Sequence, residues 1–341
     1  MSHQARSSAK KSRPTWLKVL AVIVGLLLLV VLAAAIAVFT FGKRVADTYD
    51  SGVTVVEEAF PDEADRPQEQ DTKAQTILLL GSDTRSAIDP DDVNAAQDSR
   101  SDVIMVLRIP ADREQAFLVS FMRDSWVDIP GYGEAKLNAA MAYGGVPLTV
   151  QVIEGLIGSR IDHVAMVDFA GFKGLTNALG GVQVQNANEF STGDFHFPAG
   201  TIELDGTEAL AYVRARYPFA DGDYQRVRNQ QAYLRGLVSS LVSRGTLTSP
   251  GKIQDAVAAI SPYLTVDPGM DSGYLLKLLP SMRNIRTADL EFFTAPTAGT
   301  GTSADGQSIV VLDEERMAKL KQAFETDTLA EYVETQDLSA N

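Results

Sequence analysis

The 341-residue chain is 45% hydrophobic and carries 44 Asp and Glu against 30 Lys and Arg, with no cysteine. That length supports one large or two small domains with a proper buried core, while the acidic balance speaks against a nucleic-acid binder, which needs a basic face. Without cysteine there are no disulfides, thiolate nucleophiles or cysteine metal sites, so any metal must take oxygen ligands or His3, His163 and His196.

In chain order, residues 1–15 form a basic tail. Residues 16–41 contain one charge, Lys18, and 19–41 is an unbroken run of apolar and small residues, longer than the roughly 20 needed to cross a bilayer. The first 44 residues hold seven Lys and Arg and no acid, five of the seven before the apolar run at 19–41. By the positive-inside rule the N-terminus is cytoplasmic and everything after Gly42 lies outside, on a single-pass transmembrane helix. A cleaved signal with small residues at 33–37 is the alternative, but an h-region spans only about 7–15 residues. Past Arg44 the remaining 23 Lys and Arg face all 44 acids, a net charge of −21. Residues 42–75, rich in Asp, Glu, Pro and Gln, read as a solvated extracellular stalk.

The folded domain is predicted over 76–333, followed by a short tail at 334–341. Residues 76–80 form a continuous apolar run ending in Gly81-Ser-Asp83, the pattern of a buried strand and tight turn. Further strands are predicted at 103–109, 116–121 and 164–169. Helices are predicted at 147–158, with Pro147 in the first turn, and at 172–179, stopped by Gly180-Gly181. A long helix follows over 224–242, then helical and strand-like pieces to about 333. This alternation predicts an α/β or α+β fold, a central mixed sheet flanked by helices.

Three islands put arginine and aspartate against apolar strands, where an unpaired charge is costly. The first is Gly81-Ser-Asp-Thr-Arg85 with Arg100-Ser-Asp102. Two carboxylates brought together there can hold Mg²⁺, which takes its other ligands from water and phosphate. The second, Ser120-Phe-Met-Arg-Asp124, runs on through Ile129-Pro-Gly131 to Lys136-Leu-Asn138. The third is Tyr212-Val-Arg-Ala-Arg-Tyr217 with Asp223, Arg226, Arg228 and Gln230. If 212–217 is extended, Arg214 and Arg216 project to one side, and on the next helix Arg226 and Gln230 share a face. Arginine forks match phosphate oxygens bidentately, so this set suits two phosphates at once. Ordinary surface pairs, an exposed charged strand and an amphipathic helix are the plainer alternatives. His163 and His196 read as structural, and there is no Gly-x-Ser-x-Gly elbow, Walker loop or HExxH motif.

Taken together, over residues 76–245, these islands and Ala178-Leu-Gly-Gly-Val182 resemble the LytR-CpsA-Psr family of cell-envelope proteins. The resemblance implies a phosphotransferase that moves a glycopolymer from a polyprenyl-pyrophosphate carrier onto peptidoglycan. It implies Mg²⁺, with Mn²⁺ as a second candidate, at Asp83 and Asp102. It further implies catalytic roles for Asp83, Arg123 and Asp102, and pyrophosphate binding by Arg85, Arg100, Arg123, Arg214, Arg216, Arg226 and Gln230. The sequence departs from the family pattern at Met122, at Thr176-Asn177, and at Asn229, where an arginine is frequent. In the family the polyprenyl tail fills an apolar pocket, for which 150–157 and 169–179 are the candidate walls. Hydrolysis of polyprenyl pyrophosphate, or a non-catalytic envelope regulator or lipid-binding module, are the rival functions.

Overall fold

A computed structural model describes residues 40–70, 72–82, 101–216, 219, 222–243 and 250–336, with backbone alone at 82, 101, 102, 241–243 and 250. The predicted span up to residue 39, and the site candidates Asp83, Arg85 and Arg100, lie outside the described residues. The chain divides into two compact units, Met1–Ala46 and Asp47–Asn341, and the second holds the fold.

Strand β1 (Thr54–Val55) is followed by β2 (Gln75–Ser82), β3 (Ser101–Ile109) and β4 (Ala116–Phe121). The last three are near-continuous apolar runs, the composition of strands buried on both faces. The hairpin of β5 (Trp126–Ile129) and β6 (Gly133–Lys136) leads into α1 (Ala139–Ile157), β7 (His163–Asp168) and α2 (Phe169–Ala178). Two ribbons come next, built from β8 (Val182–Asn186), β9 (Phe190–Thr192), β10 (Phe195–Phe197) and β11 (Gly200–Leu204). Helices α3 (Gly206–Arg214), α4 (Gly222–Ser243) and α5 (Pro250–Ile260) precede β12 (Leu264–Val266), α6 (Ser272–Ser281) and β13 (Leu290–Thr294). The ribbon of β14 (Thr297–Thr302) and β15 (Ser308–Leu312), then α7 (Glu314–Glu325) and α8 (Leu329–Thr335), complete the chain.

Seven strands make one mixed sheet in the order β1-β12-β7-β2-β3-β4-β13, with β2 parallel to β7 and antiparallel to β3. Strand alternation divides its side chains between two layers. Leu78, Leu80, Val106 and Val119 pack against Val150, Ile153 and Ile157 of α1 and Leu320 and Phe324 of α7. From the other face, Ile77, Ile109 and Ala116 meet Met270 and Leu278, while Met105, Leu118 and Phe292 meet Leu234. The mixed sheet with helices on both faces matches the predicted fold class.

Helix α1 is apolar and long enough by composition to cross a membrane, yet half of it is buried in the core. It breaks at Gly144 and Gly145, whose φ of 62° at Gly145 favours glycine, so the predicted 147–158 helix is its second segment. That segment ends where Gly158 takes the left-handed conformation at φ 64°.

The solvated stalk expected over 42–75 does not form beyond Ala46. Thr54–Val55 joins the sheet edge beside β12, Ala59 is 1% exposed, and Tyr49 Oη donates to Met270 O at 2.9 Å. Arg66 closes a fork on Glu154 of α1, with Nη2 to Oε1 at 2.6 Å and Nε to Oε1 at 3.1 Å, and Ile161 N donates to the same carboxylate. A few anchors at long spacing hold this segment, which is why its polar composition hid them.

Candidate functional site

Strand β4 delivers Arg123 and Asp124 into a tight turn. The turn is fixed by its backbone: Ser125 N donates to Met122 O, Asn138 N to Arg123 O, Leu137 N to Ser125 O, and Val310 N to Asp124 O. Four cations surround the Asp124 carboxylate and its neighbour Asp223, from the first turn of α4. Lys136 Nζ is 3.3 Å from Asp124 Oδ1, and Arg123 Nε and Arg216 Nη2 are 3.8 and 3.7 Å from Oδ2. Arg216 Nε reaches Asp223 Oδ1 at 2.8 Å, and Arg226 Nη2 reaches the same oxygen at 3.0 Å. Lys136 gets there because it pairs with Trp126 across the β5–β6 hairpin, which turns back on Asp124.

The two carboxyls hydrogen-bond each other, and their proton affinities diverge. Burial acts to raise Asp124, but the hydrogen bond from Asp223 and the charges of Arg123 and Lys136 outweigh it and hold Asp124 below the usual carboxylate value. Burial raises Asp223, the Asp124 carboxylate adds to the rise, and together they overcome Arg226 and Arg216. Proton affinity is therefore higher at Asp223 than at Asp124. Four cations around two carboxyls leave a positive surplus, suited to a polyanion.

Arg214 and Arg216 do not lie side by side on a strand. Residues 206–214 are helical, so Arg214 ends α3 and the chain turns extended only at Ala215. Arg214 is exposed, its guanidinium 4.5 Å from the centroid of the Phe169 ring, whereas Arg216 turns into the carboxylate pair. Gln230 is buried and donates to Val213 O at 3.4 Å, and Asn229 donates to Tyr212 O at 3.2 Å. Both amides thus bond to carbonyls of the last turn of α3, where Tyr212 O also accepts from Ala215 N. Asn229 also accepts from Gln225 Nε2, while Arg228 is exposed and donates to Gln225 Oε1 at 2.7 Å, so the two face different surroundings. Met122 is buried, Thr176 Oγ1 lies 2.7 Å from Tyr233 Oη, and Asn177 accepts from Gly206 N; the departures are absorbed by packing.

Between the sheet, α2 and α4 lies an apolar cavity of about 190 Å³. Val103 and Met105 of the sheet, Phe169, Phe172 and Leu175 of α2, and Leu234 of α4 are among its walls. Gln230 and Gly81 also line it, and Arg214 lies over the ring of Phe169, one of its walls, so the cavity adjoins Arg214, while Gln230, one turn on from Arg226 along α4, is its link to the cluster. Of the two predicted walls, α2 takes part, whereas 150–157 packs in the core on the other face of the sheet.

Asp102 lies at the start of β3 where the pairing with β2 slips, between Gly81↔Val103 and Ser82↔Ser101. Of the sequence candidates, Arg123, Arg216 and Arg226 converge on the carboxyl pair, while Arg214 and Gln230 sit by the cavity. Asp124, Lys136 and Asp223 were not among the selected site residues. For two of them the signal was adjacency, Asp124 beside Arg123 and Asp223 one turn before Arg226, whereas Lys136 reaches the site only through the β5–β6 hairpin. His163 Nδ1 contacts Asp267 at 3.1 Å and its ring lies 3.9 Å from that of Tyr274, a structural role.

A model of the LytR_cpsA_psr family matches residues 45–326. The chain is 34% identical over 248 residues to an Enterococcus faecalis protein named polyisoprenyl-teichoic acid–peptidoglycan teichoic acid transferase TagU, across 72% of this chain and 77% of that one. Corynebacterium glutamicum LcpA, a cell wall biosynthesis protein, is 31% identical across 70% of this chain and 53% of its own length, so this chain spans about half of it. Among solved structures, Bacillus subtilis TagV gives a TM-score of 0.63 at 23% identity across 76% of this chain and 98% of that one, a likeness of fold.

Proposed function

Since the chain belongs to the LytR-CpsA-Psr family, we propose that it transfers a glycopolymer from a polyprenyl-pyrophosphate carrier to peptidoglycan. The observation that carries this is the set of Arg123, Lys136, Arg216 and Arg226 gathered on two carboxyls, with an apolar cavity lined by Gln230 one turn from Arg226 on α4, in a chain of net charge −14. A pyrophosphate with an isoprenoid tail needs both halves of that arrangement. The names of the relatives, a teichoic acid transferase and a cell wall biosynthesis protein, support glycopolymer as the class of cargo.

In the proposed step the acceptor hydroxyl attacks the phosphorus nearer the saccharide. A new P–O bond forms, the bridging P–O bond breaks, and polyprenyl phosphate leaves. Arg123, Arg216 and Arg226, with Arg85, Arg100, Arg214 and Gln230, neutralise and orient the pyrophosphate, an electrostatic contribution that dominates phosphoryl transfer. Asp83 accepts the proton of the attacking hydroxyl. Asp102 lies at the start of β3, whose pairing with β2 reaches Ser82, the residue before Asp83 in the sequence, and a pair of carboxylates completed by phosphate oxygens and water is the donor set that Mg²⁺ takes. When bound there, Mg²⁺ would add positive charge against the departing phosphate; Mn²⁺ suits the same donors. A single span over residues 16–41 would anchor the enzyme with its domain outside the cell membrane, where its acceptor lies.

The test incubates the full-length chain with lipid-linked saccharide, Mg²⁺ and peptidoglycan. Saccharide becomes covalently bound to peptidoglycan with the natural chain and not with Asp83→Ala or Arg214→Ala. Lipid bound without turnover would demote the chain to a binding module. Phosphate released while no saccharide reaches the wall would favour a hydrolase.

A further inference from the structure

Away from the site, helix α6 turns an unpartnered face to solvent. Leu278 is buried against the sheet, but Leu276 and Leu279 are 58% and 63% exposed and neighbours at i and i+3. Two leucines on one helical stripe make a patch rather than scattered surface residues. Residues 272–286 contain Lys277, Arg283 and Arg286, all exposed, and no Asp or Glu. The patch thus carries three positive charges in a region whose remainder is strongly acidic; Asp271 and Asp289 flank it at either end.

The same helix is tied to the start of the domain. Ser272 N and Oγ both donate to the Asp50 carboxylate, at 2.9 and 2.5 Å, and Tyr49 Oη bonds Met270 O. Tyr49 is eight residues past Phe41, the end of the predicted span. Even a fully extended chain puts at most about 29 Å between them. The N-terminal end of α6 is therefore leashed close to the bilayer surface.

From these observations we infer that α6 and the turn after it dock on a bilayer bearing anionic headgroups. Leu276 and Leu279 enter the headgroup–acyl boundary while Lys277, Arg283 and Arg286 pair with lipid phosphates, the arrangement of an interfacial amphipathic helix. Charges beyond about 10 Å are screened at 0.1 M salt, so the acidic remainder does not oppose this contact at range. Docking fixes which way the domain faces, which a one-helix anchor alone does not. The inference rests on the N-terminal span as anchor.

Because the chain has no cysteine, single environment-sensitive labels can be placed on the full-length protein. Leu276→Cys and Leu279→Cys would each carry an NBD fluorophore, and Ala318→Cys on α7, across the sheet, serves as the reference. The protein is reconstituted in vesicles of phosphatidylcholine, or of equal parts phosphatidylcholine and phosphatidylglycerol, with nitroxide-bearing lipid as quencher. The α6 labels are expected to shift to the blue and be quenched in the anionic vesicles, while the α7 label stays in water. Lys277→Gln with Arg283→Gln lowers the docked-to-free ratio roughly 30-fold, at about fivefold per charge. Labels at 276 and 279 that behave as the α7 label does overturn docking, as does equal burial in both lipids or burial by self-association without vesicles. Flotation separates the two ideas: a chain that floats with solvated α6 labels keeps its anchor and loses the docking, whereas one that never floats loses the anchor.

Discussion

Arg226 is the residue on which the electrostatic account is most exposed to refutation. Its side chain is 8% exposed, and Nη2 is 3.0 Å from Asp223 Oδ1. It either binds the pyrophosphate or merely neutralises Asp223. A charge-assisted hydrogen bond to phosphate is worth about 1.5–3 kcal/mol, so Arg226→Gln should lower kcat/KM for transfer about 10- to 150-fold. Binding of geranylgeranyl pyrophosphate, followed by calorimetry on the full-length chain, should weaken in step. Asp223→Asn removes the carboxylate that the arginine faces, which makes the double variant decisive. If Arg226 acts on phosphate, Arg226→Gln with Asp223→Asn stays as defective as the single arginine variant. Recovery to within about threefold of the natural chain would show that the arginine served only Asp223, and the proposed role would be wrong.

The divergent carboxyls give a pH test. Asp223 is held above its ordinary 3.8, so the stability it contributes is full below 3.8 and is lost as pH rises through its folded value. The Tm of Asp223→Asn relative to the natural chain should therefore improve as pH is raised from 3.8. Asp124 is depressed, so its contribution is present above 3.8 and lost as pH falls through its lower folded value; the Tm deficit of Asp124→Asn should grow as pH is raised toward 3.8 and then level off, and a deficit that shrinks over that rise would contradict the assignment. Glu154 is 1% exposed and forked by Arg66, so Glu154→Gln should cost about 3–5 kcal/mol in urea unfolding. A loss near that of a surface pair, about 1 kcal/mol or less, would mean that 47–75 is held some other way. Leu175→Trp should fill the cavity beside the arginines and weaken long-chain polyprenyl pyrophosphate while leaving inorganic pyrophosphate binding unchanged; equal weakening of both would remove the cavity from lipid binding. Chelation by EDTA should abolish transfer, and added Mg²⁺ should restore it.

The strands of the central sheet were legible because 76–80, 103–109 and 116–121 are apolar runs too short for helices and bounded by turn residues. The stretch 212–217 misled because Tyr212, Val213 and the alternating arginines imitate a period of two. The competing signal lay upstream, in Asp205-Gly-Thr-Glu208: the Asp205 carboxylate accepts from Thr207 N and Glu208 N, Glu208 reaches back to Asp205 N, and this capping box starts the helix that carries Arg214. Residues 47–75 were misread for a different reason. Their attachment depends on partners far along the chain, Met270 for Tyr49, Glu154 for Arg66 and Val266 for Val55, and local composition does not encode such pairings. Among the site residues, the arginines were visible from charge placed against apolar strands. The diverging proton affinities of Asp124 and Asp223 were not, because they depend on a contact between a β4 turn and the start of α4.

The outermost strand β13 runs parallel to β4 and pairs Leu290 with Ala116 and Thr294 with Ser120. Such a pairing closes a loop of well over a hundred residues, a slow kind of contact for a growing chain. Until residues 290–294 arrive, the outer edge of β4 has its backbone hydrogen bonds open, and Phe117 and Val119 await part of their cover. Ala295 N then bonds Ser120 O, and Val310 N bonds Asp124 O, immediately beside the carboxyl pair. The last quarter of the polypeptide therefore finishes the turn from which Arg123 and Asp124 project. A nascent or truncated chain can contain every arginine of the site and still hold them on an unfinished edge, so catalytic competence arrives as the final event of folding.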